Sequence, residues 1–259
     1  MAPEVLKVEE AGGILTLRLN RPEKRNALNG ALVGALARAF RDAENRPDVR
    51  VVLLRGEGTD FCAGADLSEL ERITQLGPEA SLVDAQELGS LLLAMRRHPR
   101  PIVAAVQGRA LAGGCGLATA CDLVLASSGA EFGYPEVHLG FVPAMVMAIL
   151  RKKVTESVAF DLVTGGHRIP AMEALRIGLV NRVFPDGSFD REVEAFSAEL
   201  ATRPAKALSL TKGLLYELGD LSMTEGVERG AEVNVQARQT EECRAGVEAF
   251  LLKRRSRKP

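Results

Sequence analysis

Two short runs of small residues are placed to do chemistry. They are Cys62-Ala63-Gly64-Ala65-Asp66-Leu67 and Gly113-Gly114-Cys115-Gly116, the second followed by Cys121-Asp122. Each comes after an apolar, strand-like stretch and leads into a helical pattern. Small side chains let a carbonyl approach backbone N–H groups closely, and a helix N-terminus aims such donors outward. Two donors converging on one oxygen stabilise a developing enolate or tetrahedral oxyanion. Reaction beside a thioester carbonyl suits that arrangement. Cys62 and Cys115 sit in these runs, so a thiol nucleophile stays open, although no histidine stands in an evident partnering motif.

The elements around these runs alternate. Ile14 to Leu19 alternates with Leu15, Leu17 and Leu19 on one face, a strand that Arg21-Pro22 ends. Leu28, Leu32, Leu36 and Phe40 recur every four residues, which predicts a helix. Arg50 to Arg55, Ile102 to Val106 and Leu123 to Ala126 read as buried strands. A helix starts at Ser68, Gly77-Pro78 interrupts it with a loop over Leu76 to Ser81 near a site entrance, and Leu82 to Arg97 is helical up to Pro99-Arg100-Pro101. Strand and helix alternate in this way from about residue 12 to 185, an α/β pattern of repeated strand–strand–helix units. Beyond Asp190 only helices are expected: Arg191 to Thr202, Lys206 to Leu218, Met223 to Ala237 and Glu241 to Lys253. The chain is therefore divided into an α/β core over 1–190 and a C-terminal helical region over 191–259.

Composition narrows the function classes. With 46% hydrophobic and 26% charged residues the chain reads as globular, and its net charge of -1 argues against a binder driven by nucleic-acid phosphates. Four cysteines without a C-x-x-C pair make a zinc site or a redox motif a weak reading, and reduced thiols are expected. The N-terminus lacks an apolar signal core, and the longest apolar run, Phe141 to Leu150, is too short to cross a bilayer. A cytoplasmic protein is expected. Gly108 to Gly114 lacks the G-x-G-x-x-G spacing of a dinucleotide site. The basic end, Lys253 to Lys258, reads by itself as a solvated tail.

Four segments in this order and spacing carry a resemblance: Leu19-Asn20-Arg21-Pro22 with Asn26-Ala27-Leu28; Phe61 to Leu67; Ala110 to Asp122; and Phe132-Gly133-Tyr134-Pro135-Glu136 with Leu139-Gly140. The chain resembles the crotonase superfamily, the enoyl-CoA hydratase/isomerase group, over nearly its whole length. The resemblance implies a crotonase-like spiral of ββα units with C-terminal helices that assemble trimers or pairs of trimers. It implies that the N–H groups of Ala65 and Gly113 form the oxyanion hole, with Gly114 beside them, and that Glu136 is the acid/base next to carbons two and three of the acyl chain. Ala63, Asp66 and Leu67 match the stretch that wraps coenzyme A, with Asp66 part of the motif rather than catalytic. Arg25, Lys253 and Arg254 match positions that meet the CoA phosphates. No metal or redox cofactor is implied, because coenzyme A arrives as part of the substrate. No nucleic-acid or membrane partner is expected.

The chain departs from the common hydratase pattern at Gly116, where that pattern has a second glutamate. It departs again after Pro143, where Ala144-Met145-Val146-Met147-Ala148 replaces a glycine-rich segment and reads either as a pliable pocket wall or as core filling. The resemblance points first to hydration of a 2-enoyl-CoA with Glu136 as acid/base. Isomerisation of a 3-enoyl-CoA by Glu136 alone, and a non-catalytic CoA-binding scaffold, stay open. Asp122 reads as structural. His138, two residues from Glu136, shares a face with it if the segment is extended, and is then a candidate second acid/base. Tyr134 is either a group that holds water or substrate, or packing.

Overall fold

The computed structural model describes residues 4–256. Among the described residues nine strands follow in chain order: β1 (Leu6–Ala11), β2 (Ile14–Leu19), β3 (Val51–Gly56), β4 (Ile102–Val106), β5 (Arg109–Leu111), β6 (Leu123–Ser127), β7 (Glu131–Gly133), β8 (Arg168–Pro170) and β9 (Arg182–Phe184). The helices are α1 (Gly30–Glu44), α2 (Leu67–Thr74), α3 (Pro78–Arg97), α4 (Gly113–Ala120), α5 (Ala144–Lys153), α6 (Glu156–Gly165), α7 (Ala171–Arg176), α8 (Phe189–Ala201), α9 (Ala205–Glu217), α10 (Met223–Arg238) and α11 (Glu241–Ser256). One sheet has the order β1-β2-β3-β4-β6-β9, parallel except for the β1–β2 hairpin; a smaller one has the order β5-β7-β8.

The repeat unit is visible in the pairing. β4 of the large sheet is followed by β5 of the small one and then by α4; β6 and β7 repeat the first two steps. The earlier turns of the spiral reduce the short strand to a single bridge. Cys62, after β3, bridges Ala110 of β5, and Leu28, after β2, bridges Ala65. The expected strand–strand–helix spiral is therefore present, with the two small-residue runs lying side by side in it.

Both faces of the large sheet are covered, which is why its central strands are apolar throughout. Val52, Leu54, Ile102, Ala104 and Val106 point to one side and pack with Leu36 and Phe40 of α1, Leu91 and Met95 of α3, and Leu117 of α4. Val51, Leu53, Val103, Ala105 and Leu125 point to the other and meet Phe189 and Val193 of α8. The boundary read near residue 190 thus falls inside α8, a helix of the core; helices that leave the sheet begin at Ala205. The loop read over Leu76 to Ser81 is shorter than expected. Pro78 occupies the first position of α3, where its missing N–H costs nothing, so the interruption read at Gly77-Pro78 is present but confined to the three residues between α2 and α3.

α9 is tied to the core by charge. Asp122 accepts from Ile102 N at 2.6 Å, from Lys212 Nζ at 2.8 Å and from the Tyr216 hydroxyl. Lys212, buried, also donates to the Met95 and Arg100 carbonyls at 3.0 and 3.1 Å. Asp122 is therefore structural, as read. Removing one partner of a buried pair leaves an uncompensated charge. Lys212→Met is expected to lower unfolding free energy by about 3 kcal/mol, measured by urea titration.

Candidate active site

The two small-residue runs meet through backbone. Cys62 N–H donates to Arg109 O and Leu111 N–H to Cys62 O, each at 3.0 Å. Leu28 N–H donates to Gly64 O at 2.7 Å and Asp66 N–H to Leu28 O at 2.9 Å. These bonds bracket Ala65, whose own N–H has no partner among the described residues. Gly64 has φ +102°, and a Cβ there would lie 3.0 Å from Ala112 Cβ and 3.2 Å from Leu111 O. Only glycine fits that turn.

α4 begins beside it. Ala112 N–H donates to Gly133 O at 2.9 Å, and Ala112 takes φ +48°, a strained conformation for alanine that turns the chain into the helix. Gly113 is the first helical residue, so its N–H has no intrahelical acceptor. Gly114 lies against Cys62 so closely that a Cβ would be 2.2 Å from Cys62 O. The predicted donors Ala65 and Gly113 are thus brought to adjoining turns, one at the end of the Cys62 run and one at the positive end of a helix.

Glu136 follows the neighbouring strand. β5 and β7 are parallel with Leu111 opposite Gly133. Past that pair, one chain reaches Gly113 in two residues and the other reaches Glu136 in three. Glu136 lies in the 3-10 turn Pro135–Leu139, half-buried, with Oε2 enclosed and without a hydrogen-bond partner. Burial raises its carboxyl above the ordinary glutamate range. Its charge also acts on Cys115 of α4 and on Tyr134.

Other candidates take more modest places. Tyr134 is fully buried, with its hydroxyl 2.6 Å from Thr119 Oγ1, so it packs instead of facing substrate. His138 does not share the Glu136 face, because the segment is a 3-10 turn and not extended; its Nε2 lies 3.2 Å from Gly166 O. The nucleophile reading fails for both thiols. Burial pushes Cys62 up to about 12 and Cys115 up to about 11, so neither is a thiolate near neutral pH.

Asp66 is buried, pairs with Arg21 Nη2 at 2.5 Å, and caps α2 by accepting from Ser68 N at 3.2 Å. Its hydrogen bond from Arg21 holds the carboxyl below its usual range. Arg21 also donates to Ala27 O, so it braces the Ala65 turn from below. Nothing in the residue pattern had singled Arg21 out beyond its position in a shared segment. Arg25 is exposed at φ +50°, and its carbonyl accepts Ala63 N–H at 3.0 Å, which places the two at one surface turn. Leu67 opens α2, and its side chain lies outside the described residues. Lys253 and Arg254 are exposed on α11, which packs on α9 and α10. Among the described residues no cluster of three His, Cys, Asp or Glu could hold a metal ion.

The family model for enoyl-CoA hydratase/isomerase matches residues 9–257. A Thermus thermophilus protein with the provisional name enoyl-CoA hydratase is 42% identical, over 95% of this chain and 97% of that one. The 2,3-dehydroadipyl-CoA hydratase of Escherichia coli is 34% identical over 93% of each. The crystal structure of an enoyl-CoA hydratase from Mycobacterium smegmatis superposes with a TM-score of 0.92 at 31% identity, covering 96% of this chain and 97% of that one.

Proposed function

This chain belongs to the enoyl-CoA hydratase/isomerase family and has its crotonase fold, and from that premise we propose that Glu136 is its single acid/base and shifts the double bond of an enoyl-CoA thioester. The observation that carries this reading is the enclosed, unpartnered Oε2 of Glu136, three residues past the strand pair that delivers Gly113. A half-buried carboxylate with a raised pKa is a competent base near neutral pH. It removes a proton from carbon two of a 3-enoyl-CoA. The electron pair moves onto the thioester oxygen as a dienolate, which the Ala65 and Gly113 N–H groups stabilise. The same carboxyl then returns the proton to carbon four, leaving a 2-enoyl-CoA. No second acid is needed, and no cofactor beyond the coenzyme A of the substrate.

Binding follows the same assignment. Arg25, Lys253 and Arg254 supply cations for the CoA phosphates. Ala63 and Leu67 match the stretch that wraps the nucleotide and pantetheine in the family, and Asp66 with Arg21 keeps that turn in shape. Exposed apolar residues on the last two helices, among them Met223, Val227, Val247 and Phe250, support assembly into trimers or pairs of trimers. No helix among the described residues is long and apolar enough to cross a membrane, and the setting proposed is the cytoplasm.

Hydration of a 2-enoyl-CoA is the second reading, favoured by the hydratase names of the relatives. It asks Glu136 to take a proton from water and deliver one to carbon two without a second carboxylate, since Gly116 has none to offer. A panel of 2-enoyl and 3-enoyl thioesters, read by product mass, decides. Unchanged mass with a moved double bond is expected; gain of one water supports hydration, and no turnover with intact CoA binding supports a scaffold.

A further inference from the structure

We propose that Val146 determines the reaction outcome by denying water a second polar partner beside Glu136; this rests on the one-carboxylate reading. Helices α4 and α5 pack against each other, and Gly116 of α4 lies against Val146 of α5. A Cβ on Gly116 would lie 2.5 Å from Val146 Cγ2, closer than real atoms approach. Val146 is buried, and its branched side chain is stiff at χ1, so it fills that flank of α4 and does not swing away. Gly116 is one helical turn from Gly113, about 5 Å along the axis, so the filled flank adjoins the turn that offers the oxyanion donor. Met145 continues the apolar wall: a Cβ on Gly89 of α3 would lie 3.5 Å from its Cγ.

A water that is to be held for addition needs two to four polar partners. Among the described residues, the polar side chains next to Glu136 in sequence, Tyr134 and His138, are already engaged. The Tyr134 hydroxyl pairs with Thr119 Oγ1, and Thr119 donates to Cys115 O at 2.8 Å. His138 Nε2 is turned to Gly166 O. Glu136 therefore supplies one partner for a water, and the Gly116 flank, where another would enter, presents two methyl groups. Under these conditions the proton leaves and returns on the same carboxyl, and no oxygen is added.

The test compares wild type with Val146→Thr, which keeps the shape and adds a hydroxyl, and Val146→Ala, which opens the flank. Each is incubated with 2-enoyl and 3-enoyl thioesters in oxygen-18 water, and the ratio of hydrated to isomerised product is read by mass. Thermal melts and CoA titration confirm folded protein. The expected result is a rise of about tenfold or more in that ratio for at least one folded variant. An unchanged ratio in folded variants overturns the role of Val146, whichever reaction wild type performs. Should wild type chiefly add water, the isomerase reading and the exclusion of water by Val146 both fall; should it isomerise while the folded variants keep its product ratio, only the role of Val146 falls. Should wild type turn over nothing, Val146 stands only if a variant gains hydration. Should both variants fail to fold, wild type decides: label entering product as fast as the bond shifts overturns the exclusion of water, and label absent from the shifted product upholds it.

Discussion

Glu136→Gln lowers turnover by about 10²- to 10⁴-fold while acyl-CoA affinity stays within a few-fold of wild type. The amide keeps the size of the carboxyl and leaves the Ala65 and Gly113 donors in place, so binding survives and proton transfer does not. Steady-state kinetics beside calorimetric titration separate the two quantities. Undiminished turnover would remove Glu136 from the reaction and leave the fold with no unpaired acid at this place. The wild-type pH profile carries the same signature. Glu136 acts ionised, and burial raises its pKa, so the acidic limb of kcat/KM lies above the ordinary glutamate range and disappears with the carboxyl. Stability runs the other way. A carboxyl whose folded pKa exceeds its unfolded pKa stabilises the fold only while protonated, and that contribution is lost as pH rises through the folded value. The Gln variant is therefore expected to melt above wild type at neutral pH, with the gap closing as pH falls below the unfolded value.

The fold was legible where pattern is local. Ile14 to Leu19 alternates, and β2 has those bounds. The fully apolar runs at Val51 and Ile102 are strands because both sheet faces are covered, by α8 on one side and by α1, α3 and α4 on the other. Three-residue strands such as β5, β7 and β8 carry no periodicity, and only pairing with residues far along the chain makes them strands. That pairing is what brings the Glu136 turn towards α4, so the residue types of the site were readable from local pattern, and their convergence only through the family resemblance. His138 shows the same limit. A spacing of two means one face in a strand but faces about 120° apart in a 3-10 turn, which here ends at Gly140 with φ +74°. The Gly116–Val146 contact had a partial signal, since glycine inside a helix marks a close neighbour, but the neighbour lies thirty residues on.

The second large effect concerns how the oxyanion donor is aimed. Gly114→Ala would place its Cβ 2.2 Å from Cys62 O and 2.7 Å from Cys62 Cβ and Sγ. Cys62 cannot yield, because its N–H is bonded to Arg109 O and its carbonyl to Leu111 N. α4 must move instead, and it carries the Gly113 N–H with it. Overpacking of this kind costs about 1–3 kcal/mol of stability. A shift of about 1 Å at a reacting group costs about 100-fold in rate. Because the donor interacts most strongly with the charge that develops on the thioester oxygen, the loss is expected in kcat, with KM changed far less. Gly113→Ala is the informative contrast. Its Cβ would meet only Leu28 Cδ1, at 3.0 Å, the tip of a side chain that can give way, and the N–H itself is retained. A smaller loss there than at Gly114 ties catalysis to the placement of α4, whereas equal losses would separate the rate from the Cys62 contact.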